Sequence, residues 1–194
     1  MRYEEKKVRL RDGRTCLIRS PEASDAAEML RLLLATAGET DFLTRCAEDP
    51  VMDEESERAF LQKALDSPRE VMLAAVADGG VIGCASVFSV SGRIKMRHRA
   101  LFGIAIRQAF WHQGLGRIMT GECVRLAREM GYEQLELRVA SGNARARRLY
   151  EQAGFEIWGA AKRGFKLRDG SYQDDVMMGM FFTKPRPGEK HDDR

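Results

Sequence analysis

The stretch from residue 102 to residue 117 constrains the fold of this chain most, because an apolar strand there runs through a glycine loop straight into a helix. Residues 102–106 form the strand, and Gly114 and Gly116 lie close together in the loop. The helix that starts near Leu115 has apolar residues at the three- and four-residue spacing of one buried face. The first amides of such a helix have no partner within it and lie at the positive end of its dipole. The segment therefore predicts a phosphate site at a helix start.

The residues after this helix show which elements follow the glycine loop. A strand with alternating apolar positions is predicted at 135–139. It is followed by Asn143, by a short helix that carries Tyr150, and by a Gly-Phe turn at 154–155. The order is therefore strand, glycine loop, helix, strand, asparagine, helix with tyrosine, and Gly-Phe turn.

Two other kinds of glycine-loop site fit less well. A dinucleotide-binding fingerprint needs a third glycine three residues after Gly116, and that position is Met119. A P-loop needs Gly-Lys-Ser/Thr, whereas Gly116 is followed by Arg117 and Ile118.

The order of elements resembles the acetyl-CoA-binding half of the GNAT superfamily of N-acetyltransferases. The family's loop pattern, Arg/Gln-x-x-Gly-x-Gly/Ala, falls on the glycine loop, with Trp111 in place of Arg or Gln and His112 where many members have a further glycine. The second signature, Asn-x-x-Ala-x-x-Leu-Tyr-x-x-x-Gly-Phe, falls on residues 143–155. The resemblance runs from about residue 71 to residue 182, and residues 1–70 fit the family by pattern only.

The resemblance implies the GNAT fold, an α/β fold in which a mixed, mostly antiparallel central sheet is flanked by helices on both faces. Hairpin signals at Asp12-Gly13 and at 78–80, combined with strand-helix-strand stretches, agree with such a sheet. We expect one GNAT acetyltransferase domain over residues 1–183. The polar segment 184–194, which contains Pro and Gly, is expected to be a disordered tail.

The end of the domain is predicted as two strands. A short strand is expected at 156–158 and a last apolar strand at 176–182. The basic residues between them are expected to form a connection. The segment 167–178 also resembles the ending of GNAT enzymes that acetylate free amino acids or similar small molecules. Ribosomal-protein N-terminal acetyltransferases have related endings, and Asp169-Gly170 alone would predict a hairpin there.

Charge and cysteine content limit the partners. The net charge of +3 gives no reason to expect a nucleic-acid partner, and no long apolar run predicts a membrane span. The four cysteines are scattered without metal-ligand spacing, so we expect reduced thiols, a cytoplasmic location and no metal site. The expected partner is a small-molecule amine acceptor; a homodimer is compatible with the sequence, which does not fix the oligomeric state.

Acetyl-CoA is the cosubstrate that the resemblance implies. Backbone amides of residues 112–117 would hold its diphosphate, with the two glycines allowing close approach. The main chain of strand 104–106 would pair with the pantetheine arm as a peptide pairs with a sheet edge. Asn143 would either bind this arm or cap the helix that follows. The expected acetyl-CoA-binding residues are Ile104, Ala105, Ile106, His112, Gln113, Gly114, Leu115, Gly116, Arg117, Asn143, Arg147 and Tyr150.

Basic residues also flank the two signatures, where they could neutralise part of a multiply charged CoA. They are Arg107, Arg117, Arg145, Arg147 and Arg148.

Catalysis is expected to depend on Tyr150, which matches the family tyrosine that protonates or hydrogen-bonds the CoA sulfur. The strand glutamate that many members use as a base corresponds to Leu101 here, so that role does not carry over. Glu39 and His98 are the residues expected to act as the general base beside Tyr150. Water is an equal alternative, and the wider set of candidate bases is Glu39, Asp41, His98, Glu136 and Asp174.

These features predict an N-acetyltransferase that moves acetyl directly from acetyl-CoA to a primary amine of a small molecule, with an amino acid as one such acceptor. One alternative is acetylation of a protein N-terminus or lysine. At pH 7 an α-amine is about a tenth neutral and a lysine-like amine below about a thousandth, so lysine needs more help from a base. An alternative of another class is a non-catalytic acyl-CoA sensor, which the missing strand glutamate supports.

Overall fold

The computed structural model describes residues 1–182, so the expected tail at 184–194 lies outside the described residues. The strands are β1 (Lys6–Arg9), β2 (Thr15–Arg19), β3 (Val71–Ala77), β4 (Gly80–Ser89), β5 (Arg99–Ile106), β6 (Gln134–Ala140), β7 (Glu156–Lys166) and β8 (Tyr172–Phe181). The helices are α1 (Ala26–Glu39), α2 (Glu54–Asp66), α3 (Leu115–Glu129) and α4 (Ala144–Gln152), with 3₁₀ turns at Ala23–Asp25 and Gln108–Phe110. Within this range, none of the helices has both the length and the apolar character that a membrane span requires.

The strands form one eight-stranded sheet in the order β1-β2-β3-β4-β5-β6-β8-β7. The pair β5–β6 is parallel, because α3 crosses over between the two strands, and the other neighbours are antiparallel. The β3–β4 hairpin turns at Asp78 and Gly79, which both have positive φ, as a type I′ turn requires. The mixed, mostly antiparallel sheet expected from the sequence is confirmed.

Helices cover both faces of the sheet. Alternate residues of β3 belong to different hydrophobic clusters: Leu73 packs in the cluster that includes α3, and Ala74 packs in the cluster that includes α1 and α2. This follows from the two-residue side-chain period of a strand. Met119 of α3 and Leu61 of α2 are fully buried in these two clusters.

Strand β7 is longer than the sequence indicated. The prediction of a short strand at 156–158 followed by a connection was wrong, since β7 continues to Lys166 and β8 already begins at Tyr172. The reason is its position at the sheet edge, where nearly all of its residues are exposed and show no apolar alternation. Two register shifts and the positive φ of Arg163 further disturb the pattern. Such bulges and basic side chains are typical of edge strands.

Gly179 of β8 lies beneath the ring of Trp158, which itself stacks on Phe181 with centroids 4.9 Å apart. A Cβ at position 179 would lie 2.3–2.5 Å from the Trp158 ring atoms. We therefore expect Gly179→Ala to lower the free energy of unfolding by about 1–3 kcal/mol, measured by urea denaturation. Gly159→Ala is the matched control, because nothing lies within 4 Å of a Cβ at that position. Equal stability of the two variants would contradict this packing.

The feature of the sheet that matters most for the site is the short contact between β5 and β6. Their pairing consists of Arg99↔Gln134, Ala100↔Leu135 and Leu101↔Glu136. Beyond Leu101, β5 continues along β4 and β6 continues along β8. The two central strands therefore diverge, and a cleft opens in the middle of the sheet.

Candidate active site

A cavity of about 600 Å³ lies at this divergence. It is bounded by the end of β5, the glycine loop, the starts of α3 and α4, and the end of α1 with the segment after it. Ten of the residues expected to bind acetyl-CoA line it. They are Ile104, Ala105, Ile106, His112, Gly114, Leu115, Gly116, Arg117, Asn143 and Tyr150. The structure thus brings both signatures to one cavity, while Gln113, Arg147, Glu39 and His98 lie outside its lining.

The glycine loop has an unusual backbone. His112 has φ +63° and Gly114 has φ +86°, so two of its residues are in the left-handed region. This explains why a glycine is common at the position of His112 in related loops. Gln113 fixes the loop from outside, because its carbonyl accepts from the Arg11 amide at 3.2 Å and its side chain accepts from the Asp12 amide at 3.0 Å. The loop is therefore held against the β1–β2 hairpin.

Gly114 and Gly116 are required for different structural reasons. Gly114 caps α3 in a left-handed conformation and has open space around it, the nearest atom to a Cβ being Arg11 Nε at 4.0 Å. A Cβ at Gly116 would instead lie 3.3 Å from Leu149 Cδ2 and 3.7 Å from Ile106 Cδ1. Gly116 thus allows α3 to pack closely on α4 and β5, a reason that the sequence did not indicate.

The main chain of β5 points alternately to β4 and to the cleft. The Arg107 amide donates to the Ile82 carbonyl, and the Val90 amide donates to the Arg99 carbonyl. With the antiparallel register, these bonds place the main-chain groups of Ala105 on the β4 side and those of Ile104 and Ile106 on the cleft side. Ala105 therefore contributes surface to the cavity rather than main-chain groups, which corrects the expectation for this residue.

The charge of the cavity is strongly one-sided. Arg11, Arg117, Arg145 and Arg148 line it, and no acidic residue of the described chain does. None of these four arginines forms an ion pair within residues 1–182. Arg145 and Arg148 are three residues apart on α4 and share a face, whereas Arg147, which the sequence favoured, points elsewhere and has its Nε buried without a partner in the described residues. Helical spacing could have identified the pair that lines the cavity, whereas Arg11 belongs to the β1–β2 hairpin, which is distant in the sequence and gave no local signal.

Tyr150 lines the cavity and has only 8% of its surface exposed. Its ring makes edge contacts with Phe102 and Phe155, each with centroids 6.0 Å apart. Burial raises the pKa of Tyr150 to about 12, so the hydroxyl stays protonated at neutral pH. The Asn143 side chain accepts from the Ala146 amide at 3.1 Å, which confirms the helix cap, one of the two roles expected for this residue.

Three of the candidate bases, Glu39, Asp41 and His98, do not line the cavity. Glu39 accepts from Arg107 Nε and from the Gln108 amide, both at 2.7 Å, and so ties α1 to the 3₁₀ turn before the loop. His98 precedes the closed end of the β5–β6 pair, and its carbonyl accepts from the Glu133 amide. Asp41 is exposed and does not line the cavity.

The remaining two candidates are also paired. Glu136 is 5% exposed and accepts hydrogen bonds from Arg99 and Gln134. Burial would raise its pKa, but these hydrogen bonds outweigh burial and hold the pKa below its usual value. Asp174 is bound by Lys162 and by the Arg163 amide. Within residues 1–182, no cluster of His, Cys, Asp and Glu side chains could hold a metal ion.

Comparison with known proteins identifies the family that the two sequence signatures indicate. The model of the acetyltransferase (GNAT) family matches residues 38–155. The L-amino acid N-acetyltransferase AaaT of Escherichia coli is 30% identical over 124 residues, which cover 63% of this chain and 75% of AaaT. A GNAT-family acetyltransferase from Streptococcus pneumoniae superposes with a TM-score of 0.82 at 30% identity, covering 86% of this chain and 99% of that one. The fold is also that of YncA from Salmonella typhimurium, solved with its cofactor acetyl-CoA, with a TM-score of 0.76 at 20% identity over 87% of this chain and 95% of YncA.

Proposed function

The chain belongs to the GNAT family of acetyltransferases, and from that premise we propose that it transfers acetyl from acetyl-CoA to the primary amine of a small molecule, with free amino acids as the acceptor class. The acceptor class is supported by the similarity to AaaT. Under this proposal the protein is an enzyme, and acetyl-CoA is its cosubstrate.

The observation that carries the proposal is the charge of the cavity. CoA bears a diphosphate and a 3′-phosphate, and it would meet four arginines that have no acidic partner in the described chain, together with the start of α3. Helix starts and arginines are the groups that bind phosphate best in proteins. A neutral ligand would not require this arrangement.

The ligand is proposed to lie along the cavity in one direction. Amides of residues 112–117 would hold the diphosphate, and the cleft-facing main chain of Ile104 and the Ile106 amide would pair with the pantetheine arm. The thioester would then lie beside Tyr150, which lines the same cavity. Tyr150 is proposed to donate a hydrogen bond to the departing sulfur, while Glu39 and His98, outside the lining, are proposed to support the site rather than to move protons.

The carboxylates that are already engaged bear on the choice of acceptor. Glu39, Glu136 and Asp174 already bind cations or amides, and none of the five candidate bases lines the cavity, so the amine would lose its proton to water. The α-amine of a peptide N-terminus, about a tenth neutral at pH 7, can meet this condition, and a lysine side chain meets it at least a hundredfold less well. Among the described residues, the lack of a candidate base in the cavity lining therefore favours α-amines over protein lysines, and the choice of free amino acids over peptide N-termini rests on the similarity to AaaT.

The test is release of free thiol from acetyl-CoA with a panel of amines. The panel contains L-amino acids, polyamines, aminoglycosides and short peptides with free N-termini. We expect turnover with free amino acids and little with the others. Turnover with peptides alone would identify a protein N-terminal acetyltransferase, and tight CoA binding without transfer to any amine would identify a sensor.

The proposal also includes two predictions made from the sequence, a cytoplasmic location and a homodimer. The four cysteines are free thiols in the structure, in keeping with a reducing, cytoplasmic location. A homodimer stays a prediction that sedimentation of the purified protein would test.

A further inference from the structure

Trp111 occupies the loop position where the family pattern has Arg or Gln, and its indole makes two contacts at once. The indole Nε1–H donates to the Ile106 carbonyl at 2.7 Å. The guanidinium carbon of Arg145 lies 3.5 Å from the centroid of the Trp111 ring. Trp111 therefore links the end of β5 to the start of α4 at the wall of the cavity, which both Trp111 and Arg145 line.

The first contact fixes the orientation of the indole. The Ile106 carbonyl faces the cleft, where it would otherwise be available to the pantetheine arm. Because Trp111 already occupies it, the arm is left with the Ile104 main chain and the Ile106 amide. The hydrogen bond thereby holds the flat ring at a set angle to the strand, beside the path of an extended ligand.

The second contact orients a cation. Arg145 is the second residue of α4, and it forms no ion pair within residues 1–182. A guanidinium that stacks flat on an aromatic ring keeps its N–H donors at its edge, so the stack directs the donors without using any of them. Burial lowers the pKa of Arg145, as expected for a cation placed near no carboxylate.

We propose that Trp111 and Arg145 form one unit, the Trp–Arg pair, in which the indole holds the guanidinium edge toward the diphosphate of CoA. Arg145 thereby supplies, from α4, the polar side chain that the loop itself lacks at position 111. This inference rests on the proposed function. It names Arg145 as a binding residue and Trp111 as a positioning residue.

The diphosphate is the part of CoA that this position fits. Trp111 contacts the end of β5, and Gly114 starts α3 three residues later. Arg145, stacked on Trp111, thus lies against the segment that joins the strand that would hold the pantetheine arm to the helix start that would hold phosphate. The diphosphate joins the pantetheine arm to the adenosine and must pass there, whereas the 3′-phosphate lies at the far end of the ligand.

The test is calorimetric binding of CoA and of 3′-dephospho-CoA to folded variants, with folding checked by circular dichroism. Arg145→Gln is expected to weaken binding of both ligands by about ten- to a hundredfold, and by the same factor, because both contain the diphosphate. Trp111→Leu should weaken binding similarly, since it releases the guanidinium. Trp111→Phe keeps a ring for stacking but loses the N–H donor, so it should cause a smaller loss.

The double variant Trp111→Leu/Arg145→Gln tests whether the two residues act as a unit. We expect it to bind no more weakly than Arg145→Gln alone, because the indole acts through the guanidinium. The matched control is Arg128→Gln, since Arg128 also stacks on a ring, that of Phe182 at 5.0 Å, but does not line the cavity. Its affinity for CoA should be unchanged.

Several results would overturn the inference. Wild-type affinity of Arg145→Gln for both ligands would remove Arg145 from the site. A loss for CoA but not for 3′-dephospho-CoA would place Arg145 at the 3′-phosphate instead. Additive losses in the double variant would show that the residues act separately. If the unsubstituted protein bound neither ligand, the proposed function itself would fail, and the inference with it.

Discussion

Replacing Tyr150 by Phe is expected to lower turnover by about ten- to a hundredfold and to leave the affinity for CoA nearly unchanged. The substitution removes only the hydroxyl, so the contacts of the ring with Phe102 and Phe155 remain. What is lost is the hydrogen bond to the sulfur as it leaves, an interaction made chiefly in the transition state.

The size of this effect follows from the pKa of the phenol. Burial raises the pKa of Tyr150 to about 12, whereas a thiol has a pKa near 8.5. Full proton transfer to the thiolate would be uphill by about 5 kcal/mol at these values. Tyr150 is therefore expected to act by hydrogen bonding, which places the loss in turnover at the low end of general-acid effects.

Steady-state kinetics and calorimetry together check this prediction. Because Tyr150 does not titrate near neutrality, the ratio of wild-type to variant turnover should be constant between roughly pH 7 and pH 9. Tyr132→Phe is the control, since the Tyr132 hydroxyl donates to the Arg69 carbonyl and the residue does not line the cavity. Undiminished turnover of Tyr150→Phe would remove this tyrosine from the mechanism.

Gly114→Val is expected to weaken the binding of acetyl-CoA by at least about tenfold while the protein still folds. Position 114 has φ +86° and ψ −12°, a conformation that costs a residue with a Cβ about 1–2 kcal/mol. A valine would relax toward negative φ and move the amides before α3. The fold should survive, because the nearest atom to the new Cβ is 4.0 Å away.

The matched control for this variant is Gly121→Val in the same helix. Nothing lies within 4 Å of a Cβ at position 121, its φ is not positive, and it does not line the cavity. Calorimetry should therefore show a normal dissociation constant for Gly121→Val. If Gly114→Val also bound acetyl-CoA with normal affinity, the glycine loop would not be the phosphate site.

The parts of the site that the sequence predicted correctly are those determined by neighbouring residues. The start of α3 after Gly114 and the cap at Asn143 depend on backbone conformation and short-range hydrogen bonds, so a local pattern is sufficient. The parts that it missed depend on distant contacts. Arg11 reaches the cavity from the β1–β2 hairpin, and Glu39 is bound by Arg107, 68 residues later. No spacing along the chain reports such a contact.

Strand β7 shows a different limit. A buried strand has an apolar alternation because one face meets the core, but β7 lies at the sheet edge and exposes both faces. Its residues therefore lack the signal by which the other strands were identified. The two register shifts along β7 would have blurred even a weak alternation.

The short seam between β5 and β6 has a mechanical consequence. Strands β1 to β5 form one wing of the sheet and β6 to β8 form the other, and the wings meet along the three residue pairs from Arg99↔Gln134 to Leu101↔Glu136. A small tilt about this seam would change the width of the opening without breaking a hydrogen bond inside either wing. An extended ligand that contacts both sides of the opening would connect the two wings and would restrict this tilt.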